Sequence, residues 1–241
     1  MAASLRTISG ICCARADRPA RRQHGRWPAQ WRPAQWRPAQ WRAWRRMTIG
    51  AFGLVVAGGA ALALRDPLAS MASYTAGLMV LNQVAPPLLL AALPAEGSGR
   101  YRGAVATVFD PWIATALFVG FSIAVSVPEV LDPTLANALY AAPLGLLMLV
   151  SGVLFWGQIF PATRSLRTPW RIALLAWTGG IPMTVVALVW MLSSSVIYTP
   201  YLDVICRWDI PPLADQRWAG LIMFVAGVPL QVAAAWLLLA L

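Results

Sequence analysis

Apolar residues fill six long blocks of this chain, at 48–64, 68–93, 111–127, 135–160, 170–192 and 213–241, with short polar breaks between them. A helix needs ~20 residues to cross a ~30 Å hydrocarbon core, so each block is long enough or nearly so. In lipid, a segment must satisfy its own backbone groups, which favours helices. The pattern therefore predicts an all-α fold, a polytopic transmembrane bundle of about six spans.

The breaks carry start and stop signals. Arg65, Asp66 and Pro67 make a tight turn. Asp110-Pro111 reads as an N-cap followed by proline at the first helical position. Residues 128–133 read as a short acidic loop with Glu129 and Asp132, and 193–212 as the longest loop of the body.

The block at 68–93 is unusual. It carries Asn82 and Gln83 near its middle, then Pro86 and Pro87. Proline donates no hydrogen bond and displaces the carbonyl four residues back. The two prolines thus free the carbonyls of Asn82 and Gln83, which need partners inside the protein. The helix is expected to kink there and turn its polar side toward other helices. That kink serves packing or forms a ligand site, and the sequence fits both.

Composition sharpens this picture. The chain is 59% hydrophobic and 12% charged, against ~25% charged in soluble domains, and its mean hydropathy is +0.63. The net charge of +10 lies in the N-terminal 46 residues, which hold eleven of the 19 arginines and one acid, Asp17. Residues 47–241 balance eight arginines with eight acids, so no nucleic-acid partner is expected of the body. The first 46 residues repeat Trp-(Arg)-Pro-Ala-Gln from Trp27 to Trp41. Proline every fifth residue breaks a helix, so residues 1–46 are expected to be a disordered tail and 47–241 the membrane domain. The tail reads as an RNA- or lipid-binding arm, or as a dispensable stretch ahead of a start at Met47. Ala61-Leu-Ala63 also resembles a signal-peptidase site.

Arginine placement sets orientation. Arg100, Arg102, Arg164, Arg167 and Arg171 fall on one side, and the acidic loop at Glu129 and Asp132 on the other. Both termini are then cytoplasmic in a bacterial inner membrane, with membrane lipid as surroundings.

Chemistry is sparse. No span carries Lys, Arg, His, Asp or Glu near its centre, where proton relays and ion paths need them. The only histidine is His24, and Cys12, Cys13 and Cys206 have no metal-ligand spacing. The methionines of the body and Cys206 are soft enough for copper(I), but as a set they form no recognisable site. No cofactor is expected. The most patterned stretch is the outer loop and the helix after it. Tyr198-Thr-Pro-Tyr201 places two rings at the lipid–water boundary. Asp215 falls in the first helical turn beside Gln216, able to cap that helix or pair with Arg207 or Arg217. Gly220 and Gly227 share a face that admits a neighbouring helix, with Met223 between them.

Together these residues, from Pro212 through Gly227, resemble the closing motif of CtaG-like cytochrome c oxidase assembly proteins. Val84-Ala-Pro-Pro-Leu, Ser151-Gly-Val-Leu-Phe155-Trp156 and Ile197-Tyr-Thr-Pro-Tyr201 are similar to three further stretches of that family. The resemblance implies a membrane protein that assists assembly of a haem–copper oxidase, with oxidase subunits as partners. It implies no enzymatic activity. The family's two helix-borne histidines correspond to Tyr74 and Leu78 here, so the resemblance favours a role through contacts over copper delivery by the chain's own ligands, with copper(I) binding through Cys206 and the methionines left open. A permease acting through Asn82, Gln83 and Pro86 is the competing class, as is a scaffold with decayed activity.

Overall fold

The computed structural model describes residues 37–93, 110–136, 138–160, 168–202 and 209–239. Cys206, His24, Arg100, Arg102, Arg164, Arg167, Arg207 and the repeat up to Trp36 lie outside these residues. The described chain from residue 39 onward forms one compact unit.

The fold is all-helical. Helix α1 covers Arg37–Ala63. A 3-10 turn, Pro67–Ala69, leads into α2, Met71–Met79. A π turn at Val80–Val84 joins α2 to α3, Ala85–Ala91, as one bent rod. Next come α4, Pro111–Ala124, and α5, Pro128–Ala136. Then follow α6, Ala138–Ile159, α7, Pro169–Leu192, and α8, Pro212–Leu239. Among the described residues, five rods are long and apolar enough to cross a membrane: α1, the α2–α3 rod, α6, α7 and α8. Helix α4 is apolar but shorter.

Two expectations are corrected. The tail was expected to be disordered to residue 46, yet α1 begins at Arg37. Pro38 is its second residue, where a missing N–H breaks no helical bond. No proline follows until Pro67, so the last repeat unit and Arg42, Arg45 and Arg46 continue as helix. The acidic segment at 128–133 is not a loop but the start of α5. Pro128 is its first residue and Glu129 lies in its first turn, both favourable at a helix start.

Side-chain contacts fix the helix directions. A Cβ on Gly53 would lie 3.1 Å from Leu88, and one on Gly77 would lie 3.1 Å from the Ala60 carbonyl. Helix α1 thus runs antiparallel to the α2–α3 rod. The Tyr198 hydroxyl, just past α7, donates to the Ser126 carbonyl at the end of α4. The Tyr201 hydroxyl donates to the Pro67 carbonyl ahead of α2. The ends of α1, α4 and α7 therefore gather with the starts of α2 and α8. Arg42, Arg45 and Arg46 of α1 and Arg171 of α7 lie toward the opposite end.

The core is built from stacked apolar rings and small residues. Phe118 and Phe155 stack at 4.0 Å with 13° between planes, joining α4 to α6. Gly179 of α7 lets them fit, because a Cβ there would come within 2.6 Å of the Phe155 ring. Helices α7 and α8 form the most extensive pair. Gly220 makes this close: a Cβ would meet the Ala187 carbonyl at 2.9 Å. At Gly227 the nearest atoms stand at ordinary contact distance, so only one of the two glycines is needed for approach.

Candidate functional site

Two polar clusters occupy the membrane bundle. The first is the kink. Asn82 is fully buried and Gln83 nearly so. The backbone absorbs the two prolines by widening to a π turn, in which the Ala85 N–H donates to Val80. The Asn82 amide donates to the Met148 carbonyl at 3.2 Å and the Ser151 hydroxyl at 3.3 Å, both on α6. Gln83 turns to α7, where its amide donates to the Met183 sulfur at 3.0 Å. Pro86 is buried against α6 at Gly152. A Cβ on Gly152 would lie 2.5 Å from the Asn82 carbonyl oxygen and 2.8 Å from the Pro86 ring. The kink therefore faces other helices, and glycine is what admits it. Asn82 Oδ1, Gln83 Oε1 and Trp156 Nε1 remain buried without a hydrogen-bond partner.

The second cluster closes the end where α2 and α8 start. Asp215 lies in the first turn of α8 and is 3% exposed. Its carboxylate accepts from the Ser70 hydroxyl at 2.8 Å, the Met71 N–H at 2.6 Å and the Ala72 N–H at 3.3 Å. Ser70 is itself the N-cap of α2, accepting from the Ser73 N–H at 3.3 Å. One carboxylate thus serves the start of α2 as well as its own helix, where the N-terminal dipoles of both favour negative charge. The sequence placed Asp215 correctly in its own first turn but not against α2, and Ser70 was missed. The signal for Ser70 was present, a serine directly before an apolar run.

Gln216 beside it is fully buried. Its oxygen accepts from the Ile197 N–H at 2.8 Å, and its amide donates to the Trp190 and Ser195 carbonyls at 3.4 Å. Asp215 and Gln216 are therefore joints between segments, not groups displayed on the surface. Tyr198 and Tyr201 correct the expectation of rings at the lipid–water boundary: they are 0% and 2% exposed. Their hydroxyls reach Ser126 and Pro67 at 2.7 Å each, which permits full burial. Trp190 meets the Tyr198 ring edge-on at 5.6 Å. Burial, partly offset by Trp190, pushes the Tyr198 phenol above its usual range, so it stays a neutral donor. Burial likewise raises the Asp132 carboxyl nearby.

Met223 is buried in the α7–α8 core, and Phe155 and Trp156 sit on α6. The structure thus divides the sequence-predicted residues. Asn82, Gln83 and Pro86 form the kink, with Phe155 and Trp156 farther along α6. Tyr198, Tyr201, Asp215 and Gln216 form the end closure, and Gly220 and Met223 pack below it.

Tyr74 and Leu78, at the positions of the family histidines, are buried with no imidazole to offer. Among the described residues no three His, Cys, Asp or Glu side chains stand together.

Comparison with known proteins bears on these clusters. No curated protein and no solved structure matches the chain. A family described as cytochrome c oxidase caa3 assembly factor matches residues 18–241. The match begins inside the stretch expected to be a separate tail and takes in both polar clusters. This membrane chain therefore belongs to the cytochrome c oxidase caa3 assembly factor family, Caa3_CtaG.

Proposed function

We propose that the protein assists assembly of a haem–copper oxidase in the bacterial inner membrane by helix contacts with oxidase subunits, without catalysing a reaction. Both termini face the cytoplasm, and membrane lipid surrounds the rest. The family match supports the oxidase connection. The observation that supports a contact mechanism is the uneven burial of the spans. The apolar window of α1 is only 11% buried inside the bundle, against 61% for the α2–α3 rod. Phe52, Val55 and Leu62 lie open on α1, and nothing stands within 4 Å of a Cβ at Gly58 or Gly59. Small residues on an open membrane helix allow another helix to approach closely.

The test joins a deletion strain to photocrosslinking. Oxidase subunit levels should fall on deletion. A photoreactive residue at Val55 should capture an oxidase subunit, and one at Val185, also exposed on α7, should not. Unchanged oxidase levels in the deletion strain, or equal capture at the two positions, would sink the proposal.

A further inference from the structure

A groove of about 670 Å³ runs between α1 and α6. Its floor is Leu64 and, from the kinked rod, Leu81, both buried. A Cβ on Gly145 would lie 2.6 Å from the Leu64 side chain, so that floor is closed. Small residues make the room above it: Gly58 and Ala61 on α1, Ala142 and Gly145 on α6. Nothing stands within 4 Å of a Cβ at Gly58. Leu54, Leu139 and Leu146 on the rim are exposed, so the groove opens sideways.

The groove has one polar end. On α1 its lining runs from Leu54 to Arg65, eleven residues or about 16 Å at helical rise. That is about half of a ~30 Å hydrocarbon core, the depth of one leaflet. Among the described residues that line it, Arg65 alone is charged, and it is exposed just past the end of α1 at Ala63. Asp66 beside it has a bond of its own, and among the described residues no carboxylate is paired with Arg65. An exposed cation therefore heads an apolar channel one leaflet deep, and the protein does not answer its charge.

We infer that the groove holds an anionic phospholipid, its phosphate on Arg65 and one acyl chain along α1 toward Leu54. A guanidinium presents a planar fork of donors that matches a phosphate, and basic pockets between membrane helices take anionic head groups. The sideways opening leaves the second chain in the bilayer. A zwitterionic phospholipid brings its own cation, so it gains less from Arg65. Leu54, Gly58, Ala61 and Arg65 share one face of α1 by their spacing, and Phe52, Val55 and Leu62, proposed to meet an oxidase subunit, lie on another. This inference therefore does not rest on the oxidase-assembly reading.

The experiment uses the full chain in detergent with phosphatidylglycerol or phosphatidylcholine, each carrying the same photoreactive acyl chain. The labelled residues are mapped by mass spectrometry, which separates the groove from the arginine-rich N-terminal stretch. Label is expected on the groove residues of α1 and α6, about fivefold more from phosphatidylglycerol, the value of one basic residue beside anionic lipid. Arg65→Gln should remove that preference, and Arg65→Lys should keep most of it. Gly58→Leu puts a side chain into the groove from a position with no neighbour to displace. It should lower labelling there by both lipids several-fold. Equal labelling by the two lipids, or label spread evenly to Val185 and Val189 on α7, would overturn the inference and leave an ordinary lipid-facing surface. An unlabelled groove would also overturn it, and a dimer in native mass spectrometry would then name a second copy as the occupant.

Discussion

A single carboxylate holds three donors at the start of a helix 145 residues away in sequence. Asp215 therefore does more than favour the dipole of its own helix from the first turn. Asparagine in its place would keep one acceptor oxygen but turn an NH₂ toward the N–H groups of α2. The loss combines the difference between charged hydrogen bonds, ~1.5–3 kcal/mol, and neutral ones, ~0.5–1.5 kcal/mol, with a helix-dipole interaction of up to ~2 kcal/mol. Asp215→Asn is thus expected to destabilise by about 1–4 kcal/mol. Ser70→Ala should cost about 1 kcal/mol. The two should be strongly non-additive, because they share a hydrogen bond. Thermal unfolding of both variants and the double variant checks this. Wild-type melting of Asp215→Asn would show that the contact with α2 contributes nothing. The sequence made the residue conspicuous but not its partner, because periodicity assigns a helix face and not the helix that meets it.

At the scale of elements, the kink at Asn82 and Gln83 was legible, since two prolines behind two amides leave the backbone little choice. Its form was not. Whether a freed turn opens into a π turn depends on what packs beside it, and here that is Gly152 of α6. Glycines also looked alike in sequence and are not alike in place. Gly152→Ala would drive a methyl group into backbone and proline-ring atoms that cannot swing away. It should destabilise by about 1–3 kcal/mol, the usual cost of overpacking. Gly59→Ala on the open side of α1 should stabilise by about 0.5–1 kcal/mol, through helix propensity alone. Melting temperatures that move together would refute the tight packing of α6 on the kink. The start of α1 departs from the repeat pattern for a simple reason: the prolines of the repeat stop at Pro38, ahead of its last tryptophan.

Across the whole molecule, the count and boundaries of the apolar rods were mostly readable, because ~20 apolar residues leave few options in a bilayer. The grouping of helix ends was not, since it rests on Tyr198, Tyr201, Asp215 and Gln216 reaching across the fold. That grouping bears on the proposed orientation. Arg42, Arg45 and Arg46 share the end of the bundle with Arg171, whose guanidinium sits 5.3 Å from the Trp170 ring centre. Trp41, Trp44 and Trp170 are exposed beside them. Tryptophan lines both membrane interfaces, whereas an excess of arginine favours the cytoplasmic side, so this is the end the proposed orientation puts in the cytoplasm. Reporter fusions after Arg102 and after Asp132 should therefore read cytoplasmic and periplasmic respectively. The reverse pattern would invert the topology.

The distance in sequence between Ser70 and Asp215 has a consequence in time. A ribosome adding ~5–20 residues per second needs about 7–30 s to travel from one to the other. Throughout that interval the first turn of α2 sits in the membrane without its carboxylate. The nascent chain is then a set of inserted rods whose closing bond has not been made. A chain cut short before α8 would lose the last rod and also leave the second one uncapped, so even a modest C-terminal deletion should behave like damage at both ends of the gene.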